Sequence, residues 1–241
     1  MDVYWLEQTE DCMPEDDDWL SANEVLRMHA MRFAKRRNEW RLGRWTAKTA
    51  LATYLGHPMQ PRVLAKIEIR PAASGAPEAF VVDKPAALTI SLSHRDGRAA
   101  CAAGPFGAQL GCDLESVEPH SDTFVADYFT ATEQALVAKA PEYARQQCLA
   151  MLWSAKESAL KALHTGLRLD TRCVIVNLEP TAIDLNGWSP LHVRCINGPV
   201  FRGWWQSAGS FVRTMVAHPE PNSPIFLEVQ HFSSGRASRC A

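Results

Sequence analysis

Trp153-Ser154-Ala155-Lys156-Glu157-Ser158-Ala159-Leu160-Lys161 is the stretch around which this chain is organised. It predicts the middle of a helix running from about Leu149 to about His164. Leu149, Leu152, Trp153, Lys156, Leu160 and Leu163 recur at three- and four-residue steps, so they share one face. That face is expected to be buried. Lys156 falls in the middle of it, while Glu157 and Lys161 sit four apart on its margin, where a carboxylate and an ammonium reach into the same space. Two readings are open: an exposed Glu-Lys pair beside a snorkelling lysine, or a site.

The 241 residues permit one large domain or two lobes, in either case with a full core. Hydrophobic residues at 46% and charged residues at 22% are typical of folded globular proteins. No apolar run approaches the roughly 18 residues of a membrane span. Met1 to Cys12 is acidic and lacks a positive start followed by an apolar core, so no signal peptide is expected. The seven cysteines are odd in number, far apart and free of any C-x-x-C, which argues for reduced thiols in a cytoplasm and against structural zinc. Net charge is −2 but unevenly spread. Every charged residue from Asp2 to Glu24 is acidic, whereas Arg27, Arg32, Lys35, Arg36, Arg37, Arg41, Arg44 and Lys48 face only Glu39. Such a block wants an anion, either nucleic acid or a compact phosphate ligand.

Along the chain, a strand is expected at Val3 to Leu6, then an acidic loop from Glu10 to Asp18. Ser21 and Glu24 have capping-box spacing and open a helix whose pattern continues to Phe33; a second helix is expected from about Glu39 to Leu55. Strands follow at Lys66 to Arg70, Ala79 to Val82, Leu88 to Leu92 and Ala99 to Ala103. Gly104-Pro105 is the expected boundary, giving an N-terminal lobe of residues 1–105 and a C-terminal lobe of 106–241. Beyond it, Phe106 to Glu115 is an expected strand and Thr130 to Lys139 a helix with a second capping box at Glu133. After the central helix come strands at Cys173 to Leu178, Leu191 to Ile196, Phe201 to Gln206 and Phe211 to Ala217, then a frayed tail from Ser233 to Ala241.

An internal echo supports two lobes. Trp45-Thr46-Ala47-Lys48 is followed by an apolar helix, a glycine and strands, as is Trp153-Ser154-Ala155-Lys156. Where the second copy has Glu157 the first has Thr49, so only the second carries the carboxylate. A duplicated fold with one active seam is implied.

Asp113 and Glu115 alternate near the end of an expected strand, which aims both carboxylates to one side, as a hard divalent cation requires. Exposed acids at a strand end would show the same spacing. With Glu157 as a third oxygen ligand, a Mg²⁺ site sharing phosphate oxygens becomes reasonable. His94 follows an apolar strand at a hairpin mouth; with Lys156, Lys161, Arg70 and the basic block it would supply donors for several phosphates.

In order, the chain carries Ser93-His94, Gly111-Cys112-Asp113-Leu114-Glu115, Tyr128-Phe129-Thr130 with Glu133, the W-S-A-K-E-S-A-L-K helix, Gly166-Leu167 and Met215-Val216-Ala217-His218-Pro219. With this ordered set it resembles the larger, two-lobed Sfp type of 4'-phosphopantetheinyl transferases, over nearly its whole length. Cys112 departs from that pattern where a β-branched residue is usual, and Ala76 where Lys or Arg is usual. The resemblance implies an α+β fold of two pseudo-twofold-related lobes, each a small antiparallel sheet packed on a long helix, with coenzyme A in the seam. It implies transfer of phosphopantetheine to a serine of an acyl or peptidyl carrier protein, with release of 3',5'-ADP. Asp113, Glu115 and Glu157 would hold Mg²⁺, Glu157 would take the serine proton directly or through water, and Lys161 would steady the leaving phosphate. Lys156 would touch another pyrophosphate oxygen, and Arg27, Arg70 and His94 would hold the nucleotide end with its 3'-phosphate. No nucleic-acid or membrane partner is expected, and two lobes in one chain make a monomer sufficient. The rival expectations are a nucleic-acid-binding module using the basic helix and an inactive, coenzyme-A-binding relative. The intact Asp113, Glu115, Glu157 and Lys161 speak against the second.

Overall fold

The computed structural model describes residues 1–178 and 187–229. The tail expected from Ser233 lies outside the described residues. The chain divides into two compact units, one of Val3–Gly107 completed by residues 225–229, the other of Ala108–Pro224 joined by Met1–Asp2. Among the described residues no helix is long and apolar enough to cross a membrane, and no disulfide joins the described cysteines.

The unit of residues 3–107 runs β1 (Tyr4–Thr9), α1 (Ala22–His29), α2 (Ala34–Tyr54), α3 (Pro61–Leu64), β2 (Ile67–Pro71), β3 (Pro77–Val81), β4 (Lys84–Pro85), β5 (Leu88–Arg95) and β6 (Arg98–Pro105). The Ser21/Glu24 capping box closes on the first turn of α1, as the spacing predicts. The helix stops at His29, short of the expected Phe33, which is 65% exposed. α2 begins at Ala34, not Glu39, since Ala-Lys-Arg-Arg are strong helix formers that extend the helix without a side-chain cap. The basic block therefore lies mostly on α2. Its apolar side, Ala47, Ala50 and Leu51, packs with Leu6, Ile67, Ile69, Ile90 and Cys101 into one core.

The unit of residues 108–224 runs β7 (Gln109–Ser116), α4 (Asp122–Tyr128), α5 (Ala131–Lys139), α6 (Glu142–Ala162), β8 (Val174–Leu178), β9 (Ser189–Cys195), β10 (Val200–Ala208) and β11 (Phe211–His218). α6 is the quoted helix. It starts at Glu142, earlier than the expected Leu149, just after Pro141, which suits a helix boundary but not a helix interior. Its sheet is antiparallel throughout, in the order β7-β11-β10-β9-β8. Leu152, Trp153, Ala155, Ala159 and Leu160 bury against Val174, Val193, Phe201, Val212 and Val216.

β12 (Ile225–Phe226) then pairs in parallel with β1, making the order β12-β1-β6-β5 beside a separate three-stranded sheet β2-β3-β4. Each unit is thus an α+β layer pair, with β-structure that is antiparallel apart from β12 and a 21-residue helix packed on it.

Candidate functional site

β7 and α6 build the site because a glycine lets them touch. A Cβ on Gly111 would stand 1.8 Å from the Ser158 carbonyl oxygen and 2.7 Å from the Ala162 nitrogen, so only glycine permits this approach. Two residues on, period-two geometry turns Asp113 and then Glu115 to the same helix-facing side. A buried hydroxyl cluster fixes the helix against the next strand. Ser154 Oγ and Ser158 Oγ lie 2.8 and 2.7 Å from Thr214 Oγ1, and Thr214 pairs with Asp113 across the sheet.

Carboxylate oxygens of Asp113, Glu115 and Glu157 all lie within 4.8 Å of one another. Asp113 is 2% exposed. Lys161, one helical turn after Glu157, donates to Asp113 Oδ1 at 2.7 Å and to the Cys112 carbonyl at 3.0 Å. Burial pulls the Lys161 ammonium down, but the charges of Asp113 and Glu157 outweigh it and hold the group above the ordinary lysine value. It therefore stays protonated at neutral pH. Three acidic side chains converging against one ammonium leave an excess of negative charge, and all-oxygen donors at this spacing fit a hard cation such as Mg²⁺.

The remaining expected site residues are placed as follows. Lys156 Nζ is wholly buried, donates to the carbonyls of Thr171 and Val174, and pairs with Glu133 Oε2 at 2.9 Å. An ammonium has three hydrogens and this one has three acceptors, so as placed it has none to give a pyrophosphate oxygen. The side chain expected to touch phosphate is thus placed in the core. Arg27 is exposed at the last turn of α1. Arg70 stands at the end of β2, its Nη2 on Glu68 and Asp83 and its plane 4.3 Å over Phe80. His94, near the end of β5 and 53% exposed, has Nε2 at 3.9 Å from Glu39. The structure thus gathers Asp113, Glu115, Glu157 and Lys161 into one cluster, while Lys156 has its own partners in the core.

Residues 109–206, from β7 into β10, match the family model of the 4'-phosphopantetheinyl transferase superfamily. Over that stretch the chain is similar to that superfamily. It is 27% identical over 211 residues to the 4'-phosphopantetheinyl transferase HetI of Nostoc sp., covering 83% of this chain and 86% of that protein. Among solved structures it is similar to the holo-[acyl-carrier-protein] synthase of Thermotoga maritima, at 23% identity and a TM-score of 0.33. That match takes in 45% of this chain and 61% of the other. All four clustered residues lie within the stretch that matches the 4'-phosphopantetheinyl transferase superfamily.

Two residues that support the cluster were not singled out as such by sequence. Thr214 looks like any strand threonine until register sets it opposite Asp113. Glu133 was legible as a capping residue, but its carboxylate also meets Lys156, 23 residues on, which no local pattern announces.

Proposed function

We propose that this chain transfers the 4'-phosphopantetheine group of coenzyme A to a serine hydroxyl of an acyl or peptidyl carrier protein, releasing 3',5'-ADP. The observation that carries this reading is the convergence of Asp113, Glu115, Glu157 and Lys161 inside the stretch that matches the superfamily. Asp113, Glu115 and Glu157 would hold Mg²⁺, which when bound offsets the negative charge of the pyrophosphate oxygens. Glu157, half-buried at the margin of α6, accepts the proton of the attacking serine as its oxygen bonds to the β-phosphorus. The bond to the departing 3',5'-ADP oxygen then breaks. Lys161 has two hydrogens engaged, on Asp113 and Cys112, and gives the third to the leaving phosphate. No covalent enzyme intermediate is needed.

Arg27, Arg70 and His94 would grip the nucleotide end. Arg70 uses the two Nη2 hydrogens on Glu68 and Asp83, so the rest of its five-donor fork can meet a phosphate. The test compares coenzyme A with its dephospho form in steady-state turnover, reading release of 3',5'-ADP from the first and of 5'-AMP from the second. Each charge-assisted hydrogen bond to the 3'-phosphate contributes roughly 1.5 to 3 kcal/mol, so kcat/KM should favour coenzyme A by about tenfold or more. Arg27→Ala combined with Arg70→Ala should remove that preference. Equal kcat/KM for the two ligands in the wild type would show that the grip lies elsewhere; no turnover of either with any apo-carrier would refute the function.

A further inference from the structure

Resting on that reading, we propose that Lys156 and Glu133 are positioning residues: their buried ion pair fixes the rotation of α6 and so aims Glu157, and neither side chain touches substrate. Glu133 is saturated. Its Oε2 accepts the Thr130 N–H and hydroxyl at 2.9 Å each as well as the Lys156 ammonium, and its Oε1 accepts the Val176 N–H at 3.1 Å. Lys156 adds the Thr171 and Val174 carbonyls, and Thr171 Oγ1 donates to the Tyr128 carbonyl at 2.8 Å. One pair thereby ties the start of α5, the end of α4, the turn before β8, β8 itself and α6. Because Glu157 directly follows Lys156, a helix anchored at the lysine has its carboxylate direction set as well.

The unit of residues 3–107 shows that this lock is separable from the chemistry. There Glu24 closes a capping box on Ser21, accepts the Ile69 N–H at 3.1 Å and pairs with the wholly buried Lys48. Lys48 donates to the carbonyls of Trp19 and Leu64 and sits 5.6 Å over the Trp19 ring, as Lys156 sits 5.6 Å over Phe129. The residue after Lys48 is Thr49, with no carboxylate to offer a metal. A lysine bound the same way where there are no metal-type ligands beside it is an anchor, and its recurrence is what the W-T-A-K and W-S-A-K echo encodes. Burial draws both ammonium groups below the ordinary lysine value, with Glu24 and Glu133 pushing back. Removing one partner leaves a buried charge alone, which is far costlier than removing both.

The test is a double-mutant cycle with two readouts, kcat with an apo-carrier and the dissociation constant of coenzyme A by calorimetry. Lys156→Met should lower kcat at least tenfold while coenzyme A affinity stays within about twofold. Glu133→Gln should reproduce that pattern, and the double variant should be no slower than Lys156→Met, since one coupled pair is lost once. Lys48→Met supplies the contrast: it should lower the unfolding midpoint yet leave kcat of the folded enzyme within about twofold. Should Lys156→Met fail to fold, the Glu133→Gln/Lys156→Met double, which holds no unpaired charge, carries the same comparison. Coenzyme A affinity weakened tenfold or more in the Lys156 variant or the double, with Glu133→Gln binding normally, would make Lys156 a phosphate ligand and overturn the proposal. The binding arm needs no turnover, so it judges this inference independently of the reaction assigned above.

Discussion

Glu157→Ala is expected to lower kcat/KM for carrier modification at least about a hundredfold, the scale of losing a main electrostatic stabiliser. The residue is asked to do two things, to share a cation with Asp113 and Glu115 and to take a proton, and alanine does neither. Asp113→Ala and Glu115→Ala should fall by a similar factor, and combining them should add little, because residues that act as one unit are not additive. Asp113 has a second role. Asp113 is buried and pairs with Lys161 at 2.7 Å, so its loss should also destabilise the fold, by up to about 3–5 kcal/mol. Steady-state rates over a Mg²⁺ titration, with denaturation curves for each variant, read both effects. Wild-type rates in Glu157→Ala would remove the residue from the site.

Gly111→Val should yield little folded enzyme. Even the Cβ of alanine would fall 1.8 Å from the Ser158 carbonyl, and the obstacle is backbone, which cannot swing aside. Overpacking of ordinary cores costs about 1–3 kcal/mol; here β7 or α6 must move bodily, so Gly111→Ala should exceed the top of that range and valine more so. Any folded remainder should be slow, since the displacement parts Asp113 and Glu115 on β7 from Glu157 and Lys161 on α6. Circular dichroism melts and activity per folded molecule check this, and a fully stable Gly111→Val would mean that β7 and α6 are not in contact.

Much of this was legible because local rules and tertiary structure agree. Both capping boxes form where Ser21/Glu24 and Thr130/Glu133 predict. The period-two acids lie together beside the i, i+4 Glu-Lys pair. Where sequence fell short, the missing information was non-local or weak. Lys156 and Lys161 are equally good lysines on one helix; only distant partners, Glu133 with two carbonyls for one and Asp113 for the other, tell their surroundings apart. α4 has seven residues, too few for a periodic signal, and is held by the Ser121 cap and by Phe124 against Trp153. β12 is two residues long and defined by its pairing with β1, more than 200 residues away.

The most direct test of the central claim is intact-mass spectrometry of apo-carrier proteins incubated with the purified protein, Mg²⁺ and coenzyme A. A carrier should gain the mass of one phosphopantetheine group, with one 3',5'-ADP released per carrier, and the same carrier with its acceptor serine changed to alanine should stay unmodified. If no carrier in a broad panel gains that mass while coenzyme A still binds, the chain is an inactive relative. If coenzyme A does not bind and nucleic acid does, with the steep salt dependence of phosphate-backbone contacts, the account is contradicted at its root.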